Sequence, residues 1–191
     1  FMKHIRLIGI VLVLLGILAS VAVAQDEAPD TTLLPIGGFY DETFPEFVRT
    51  VLPHAGEDRV YMLVVPASFA YDAEVMTSEE LLINTIDAER RRRQLEGVCN
   101  ELSELPCEVI VIPAYTKELA NEEIVLDFFP EDLAGVYFLG GDQTIAMHII
   151  AGSVLEGALE EAFLRGVPMG GNSAGLAVLS YSMIAGYSAD E

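Results

Sequence analysis

The sequence predicts an α/β protein built on a mostly parallel sheet with helices on both faces. Three observations carry this. The strand candidates Val60–Val65, Val109–Ile112 and Val136–Leu139 are near-continuous apolar runs rather than alternating ones, as expected of strands buried on both faces. Segments of helical periodicity separate them, so strand and helix alternate along the chain. Proline or paired glycines follow the strand candidates at Pro66, Pro113 and Gly140-Gly141, punctuating the turns into the crossovers.

Each element follows in order. Leu33-Leu34-Pro35-Ile36 reads as a first strand ending in Gly37-Gly38, and Pro35 suits a sheet edge better than its centre. Glu42 to Leu52 has apolar residues at helical spacing, with Pro45 placed near the first turn. Val60–Val65 is a buried strand, and Ala67-Ser68-Phe69 falls at its C-terminal end, where α/β proteins place their sites. A long helix starts at a Thr77 or Ser78 cap, with Glu79 and Glu80 in the first turn favoured by the helix dipole, and runs to about Leu102. Its Arg90-Arg91-Arg92-Arg93 run fans around the axis, which favours solvated pairing with glutamates over one basic patch. Val109–Ile112 is a third strand, Glu122 to Phe129 a short helix, and Val136–Leu139 a fourth strand. A helix pair from Thr144 to Arg165 leads to a strand over Gly166–Gly170.

Two loops carry the chemistry. Gly171-Asn172-Ser173-Ala174-Gly175 lies between that last strand and the apolar run Leu176–Leu179. A serine between glycines at a strand-to-helix turn has the layout of a nucleophile elbow. Such a turn lifts the hydroxyl off the sheet and points the next N–H, that of Ala174, toward a developing oxyanion. The competing reading is a glycine-rich turn with a capping serine. The second loop, Gly140-Gly141-Asp142-Gln143, ends the fourth strand. Its glycines bring backbone N–H groups close to a ligand at the mouth of the sheet; the alternative is an ordinary loop with Asp142 as helix N-cap.

Together these motifs resemble one family. From Gly135 to Gly186 the chain is similar to the cyanophycinase group of serine exopeptidases, peptidase family S51. Gly140-Gly141-Asp142-Gln143, Gly171-Asn172-Ser173-Ala174-Gly175-Leu176 and Met183-Ile184-Ala185-Gly186 match the family's motifs in order and spacing. Between Leu33 and Pro113 only the pattern of strands and turns agrees. Two positions depart from the family: Asn172 stands where threonine is usual, and Leu176 where alanine is usual. The resemblance implies a flavodoxin-like three-layer sandwich related to class I glutamine amidotransferases, with serine in place of their cysteine. It implies Ser173 as nucleophile, the N–H groups of Gly141 and Ala174 as oxyanion donors, and Asp142 and Gln143 as substrate-binding residues. It implies hydrolysis of cyanophycin to β-aspartyl-arginine dipeptides without metal or organic cofactor. Asp142-Gln143, rather than the Gly-Asn of the aspartyl dipeptidase branch, favours the cyanophycinase branch.

Composition bounds the rest. The net charge is −20 over 191 residues, which argues against nucleic acid and anionic membrane surfaces as partners and favours a solvated acidic exterior. The expected partner is a peptide or cyanophycin-like substrate, with a homodimer left open. Lys3, Arg6, the apolar stretch Leu7–Val23 and Ala22-Val23-Ala24 make residues 1–24 a signal peptide, cleaved before Gln25. The expected destination is secreted or periplasmic, with an uncleaved membrane anchor as the alternative. Cys99 and Cys107 are the only cysteines. Export permits a disulfide between them, and two separate small core residues are the other reading.

A serine nucleophile needs a base. The histidines are His4, His54 and His148; His4 leaves with the signal, His54 lies in a loop, and His148 is read as packing or facing solvent. In the family the histidine follows the serine. Residues 25–191 are therefore expected to be the N-terminal part of a single catalytic domain, with the histidine and its acidic partner beyond residue 191. Alternative functions are an exported binding protein of the same fold, another S51 peptidase such as an aspartyl dipeptidase, and an α/β-hydrolase esterase. The last lacks the expected His-Gly-Gly-type oxyanion loop before the elbow.

Overall fold

The computed structural model describes residues 31–180, 182 and 183. Five strands form one sheet: β1 (Leu33–Ile36), β2 (Val60–Val65), β3 (Cys107–Val111), β4 (Leu133–Phe138) and β5 (Met169–Asn172). Their order is β1-β5-β4-β2-β3, and all neighbouring strands run parallel. The helices are α1 (Tyr40–Val51), α2 (Ser78–Leu102), α3 (Lys117–Ala120), α4 (Gln143–Ile150), α5 (Val154–Leu164) and α6 (Ala174–Val178), with 3-10 turns at Leu52–His54, Ala67–Phe69 and Glu123–Phe128.

The sheet is covered on both faces. Along β2, Val60, Met62 and Val64 face α1 and α2, meeting Phe44, Phe47, Val51, Ala88 and Leu95. Tyr61, Leu63 and Val65 face the other way, into a second core with Ala146, Ile149, Leu155 and Leu159 of α4 and α5. This period-two division of a fully buried strand makes the three-layer, flavodoxin-like α/β sandwich predicted above. Phe47 and Val51 pack tightly on the sheet: a Cβ on Gly170 would stand 2.6 Å from the Phe47 ring, and one on Gly135 would stand 2.5 Å from Val51 Cγ2 and 3.0 Å from the Phe47 ring. Two adjacent strands thus leave side-chain space empty for Phe47 and Val51 of α1. The β2–β4 register shifts between Tyr61 and Met62, a bulge that accommodates the small pair Ala134-Gly135 beneath α1.

Several boundaries differ from the sequence reading. The first helix starts at Tyr40, so Pro45 lies inside it rather than near its first turn. β1 is an edge strand, as Pro35 suggests. The short helix α3 precedes the 3-10 turn over Glu123–Phe128 where one helix was expected. β5 runs from Met169 rather than Gly166 and extends through Gly171 and Asn172, so the first two residues of the serine motif are strand. The long helix begins with a full capping box: Thr77 Oγ1 accepts the Glu80 N–H at 3.2 Å and Glu80 Oε2 accepts the Thr77 N–H at 2.7 Å.

Cys99 at the end of α2 and Cys107 at the start of β3 form a disulfide, with Cα atoms 6.0 Å apart. Among the described residues no helix is long and apolar enough to cross a membrane. The signal-peptide segment and Ile184-Ala185-Gly186 lie outside the described residues.

Candidate functional site

The sheet order creates the site. After β2 the chain moves toward β3, and after β4 it moves the other way, toward β5. A crevice opens at the C-terminal ends of two adjacent strands whose connections diverge. The loop after β2 and the Gly140-Gly141 loop after β4 meet there. Ser68 Oγ donates to the Leu139 carbonyl at 2.5 Å, and the Asp142 N–H donates to the Ser68 carbonyl at 2.8 Å. Gly141 takes a φ of 155°, and a Cβ there would stand 2.0 Å from the Ser68 carbonyl oxygen. Both the conformation and the space require glycine.

Ser173 lies one strand away, at the end of β5. It is the N-cap of α6, with φ 52° and ψ −119°. It is the one non-glycine residue with positive φ among those described. That conformation is costly for a residue with a Cβ and persists only where the surroundings impose it. They do so here through backbone packing: a Cβ on Gly175 would stand 2.1 Å from the Phe138 carbonyl oxygen, and one on Gly171 would stand 2.7 Å from the Gly175 carbonyl oxygen. The Ser173 side chain is exposed and makes no cap hydrogen bond. The capping-serine reading therefore does not describe its hydroxyl. Ala174 is the first helical residue, and its N–H is among those a helix start leaves without an intrahelical partner.

The two motifs are one site. A Cβ on Gly140 would stand 3.2 Å from Ser173 Cβ. Asp142 is the N-cap of α4: its Oδ1 accepts the N–H groups of Thr144 at 2.8 Å and Ile145 at 3.1 Å. The N-cap alternative is thus realised, and Asp142 fixes where α4 begins. Gln143 is the first residue of that helix and half-buried.

Asn172, one residue before Ser173, is buried and central. Its Oδ1 accepts from Tyr137 Oη at 3.1 Å, and its Nδ2 donates to the Gly38 carbonyl at 3.2 Å. Tyr137 Oη and Thr43 Oγ1 are 2.7 Å apart. The amide ties the elbow to the loop after β1 and to α1. Burial pushes the Tyr137 hydroxyl well above the ordinary tyrosine range. Tyr40, also raised by burial, accepts the Gly140 N–H at 3.0 Å. Sequence reading singled out Asn172 as a departure from the family but missed its partner Tyr137, and Thr43 and Tyr40, which meet Tyr137 and Gly140. No local motif marks them, because Tyr40 and Thr43 come from α1 and Tyr137 from β4, each distant in sequence from Asn172.

His148 is exposed on α4, in a cleft of about 420 Å³ with Tyr71, Asp72 and Ile145. His54 is exposed after α1 and lines a separate cleft with Glu131 and Arg165. A larger apolar cavity of about 640 Å³ lies among Phe138, Ile150, Phe163, Met169 and Val178. Neither Ser173 nor the Gly140–Gln143 loop lines it, so it is not where the two motifs act. Among the described residues no cluster of histidine, cysteine or carboxylate side chains forms a metal site.

No family model matches the chain, and no curated protein matches it. Among solved structures, the crystal structure of a peptidase from an acI-B1 Actinobacterium is similar, with a TM-score of 0.53 and 20% identity, over 78% of this chain and 55% of that one. At that identity the likeness is one of fold. The chain matches little more than half the length of that peptidase.

Proposed function

We propose that the chain belongs to a secreted serine exopeptidase of the cyanophycinase type. One observation carries the reading: Ser173 is held at positive φ on a strand-to-helix turn, exposed, with its hydroxyl outside the helix cap. A turn this tightly imposed serves presentation of the side chain better than it serves stability. The fold shared with a peptidase supports the reaction class.

In this reading Ser173 Oγ attacks the scissile carbonyl as a base removes its proton. The tetrahedral oxyanion is held by the N–H groups of Ala174 and Gly141. Collapse expels the amine, which takes a proton from the protonated base, and water then releases the acyl group. The base is a histidine supplied C-terminal to the elbow, oriented by a carboxylate. The resemblance implies Asp142 and Gln143 as substrate-binding residues, a carboxylate and an amide of the kinds that suit a guanidinium or amine and a carboxylate of a zwitterionic substrate. Export follows cleavage after Ala24, which mass spectrometry of the mature N-terminus checks.

The substrate test is product analysis by mass spectrometry, with the full-length protein acting on cyanophycin, casein and an Asp-X dipeptide. The proposal expects β-aspartyl-arginine from cyanophycin and intact casein. Products from casein or the dipeptide alone would overturn the substrate and leave the serine mechanism standing.

A further inference from the structure

The four consecutive arginines of α2 do not behave alike. Arg90 pairs with Asp87, and Arg92 with Glu89 and Glu96. Arg91 forms no ion pair among the described residues. Its guanidinium carbon lies 4.0 Å over the Tyr40 ring, its Nη1 donates to Gln94 Oε1 at 2.9 Å, and its Nε is buried without a hydrogen-bond partner. A buried, unused donor on a charged group is costly, and a stacked cation recovers part of that cost from the ring. The ring so held is the one whose hydroxyl accepts the Gly140 N–H at 3.0 Å.

The consequence falls on Gly141. The Gly140 amide is tied to Tyr40 on one side, and the Asp142 amide is tied to the Ser68 carbonyl on the other. The Gly141 N–H lies between these two anchors, on a residue with φ 155° that packs directly against the Ser68 backbone. We infer that Tyr40, locked by Arg91, is a positioning residue: it sets the direction of the Gly141 N–H by holding the preceding amide. This rests on the reading of Gly141 as an oxyanion donor. Tyr40 touches neither substrate nor the reacting atoms in this account, and Arg91 acts only through Tyr40. Since oxyanion donors act mainly in the transition state, a misaimed one lowers kcat and leaves KM nearly unchanged.

The experiment compares Tyr40→Phe and Arg91→Met with wild type in the full-length protein, by steady-state kinetics and by amide hydrogen exchange. Tyr40→Phe keeps the ring and removes the acceptor. It is expected to speed exchange at Gly140 and to lower kcat roughly 10-fold to 100-fold with KM within about 2-fold, less than outright loss of an oxyanion donor. Arg91→Met leaves the Tyr40 hydroxyl in place and is expected to give a smaller fall in the same pattern, with faster Gly140 exchange. If Tyr40→Phe fails to fold, Arg91→Met decides. Unchanged exchange at Gly140 in the folded variants overturns the inference, as does unchanged kcat in an active enzyme. A wild type that hydrolyses nothing overturns the peptidase reading instead, and Gly140 exchange then still decides whether Tyr40 holds the loop.

Discussion

Gly175 rides against Phe138 so closely that a Cβ at position 175 would stand 2.1 Å from the Phe138 carbonyl oxygen. The turn after β5 is thereby pressed onto the end of β4, which brings Ser173 beside the Gly140 loop. Only backbone lies on the Phe138 side of the contact, so no side chain can swing away to relieve it.

Gly175→Ala is therefore expected to destabilise the protein by about 3 kcal/mol or more, at the upper end of overpacking penalties. Chemical denaturation checks this. A variant as stable as wild type would mean that the elbow is not pressed against β4.

The disulfide gives an independent expectation. Cys99 and Cys107 close a short loop between α2 and β3. In the chain-entropy model a loop of this length stabilises by about 2–3 kcal/mol. The double replacement Cys99→Ser with Cys107→Ser should lower stability by about that amount, and reductant should have little effect on the variant. Equal stability of the oxidised and reduced wild type would contradict the pairing.

Buried tyrosines set the alkaline limit. Burial pushes Tyr115 up to about 12 and holds Tyr40, Tyr61 and Tyr137 above the ordinary value of 10.0. A folded-state pKa raised above the unfolded one means that the native state keeps its proton longer. The stability from these hydroxyls is full below pH about 10 and is lost as pH rises toward about 12. Denaturation midpoints should fall across that window, with delayed growth of the tyrosinate ultraviolet band. A midpoint flat through the window would contradict it.

The layers, the strands and both motif loops were legible because each is written in local sequence. Apolar runs mark β2 and β4, and Thr77 with Glu80 marks the start of α2. Ser68 was legible only as a place, the C-terminal end of β2. Its contact with Gly141 depends on β2 and β4 being neighbours, which no local pattern states. The same holds for Asn172, whose partners Tyr137 and Gly38 come from two other strand ends. Arg91 was hidden among like residues, and only the placement of α1 beside α2 separates it from Arg90 and Arg92. The start of α1 was misplaced because no side chain caps it: Phe39 is the N-cap and makes no cap bond.

The central claim is that Ser173 is a nucleophile. The most direct measurement is turnover by Ser173→Ala in the full-length protein, with circular dichroism to confirm folding. Removal of a covalent nucleophile should lower kcat by several orders of magnitude while the fold stays intact, because the exposed hydroxyl makes no cap bond. Hydrolysis at a near-normal rate by the folded variant would contradict the account.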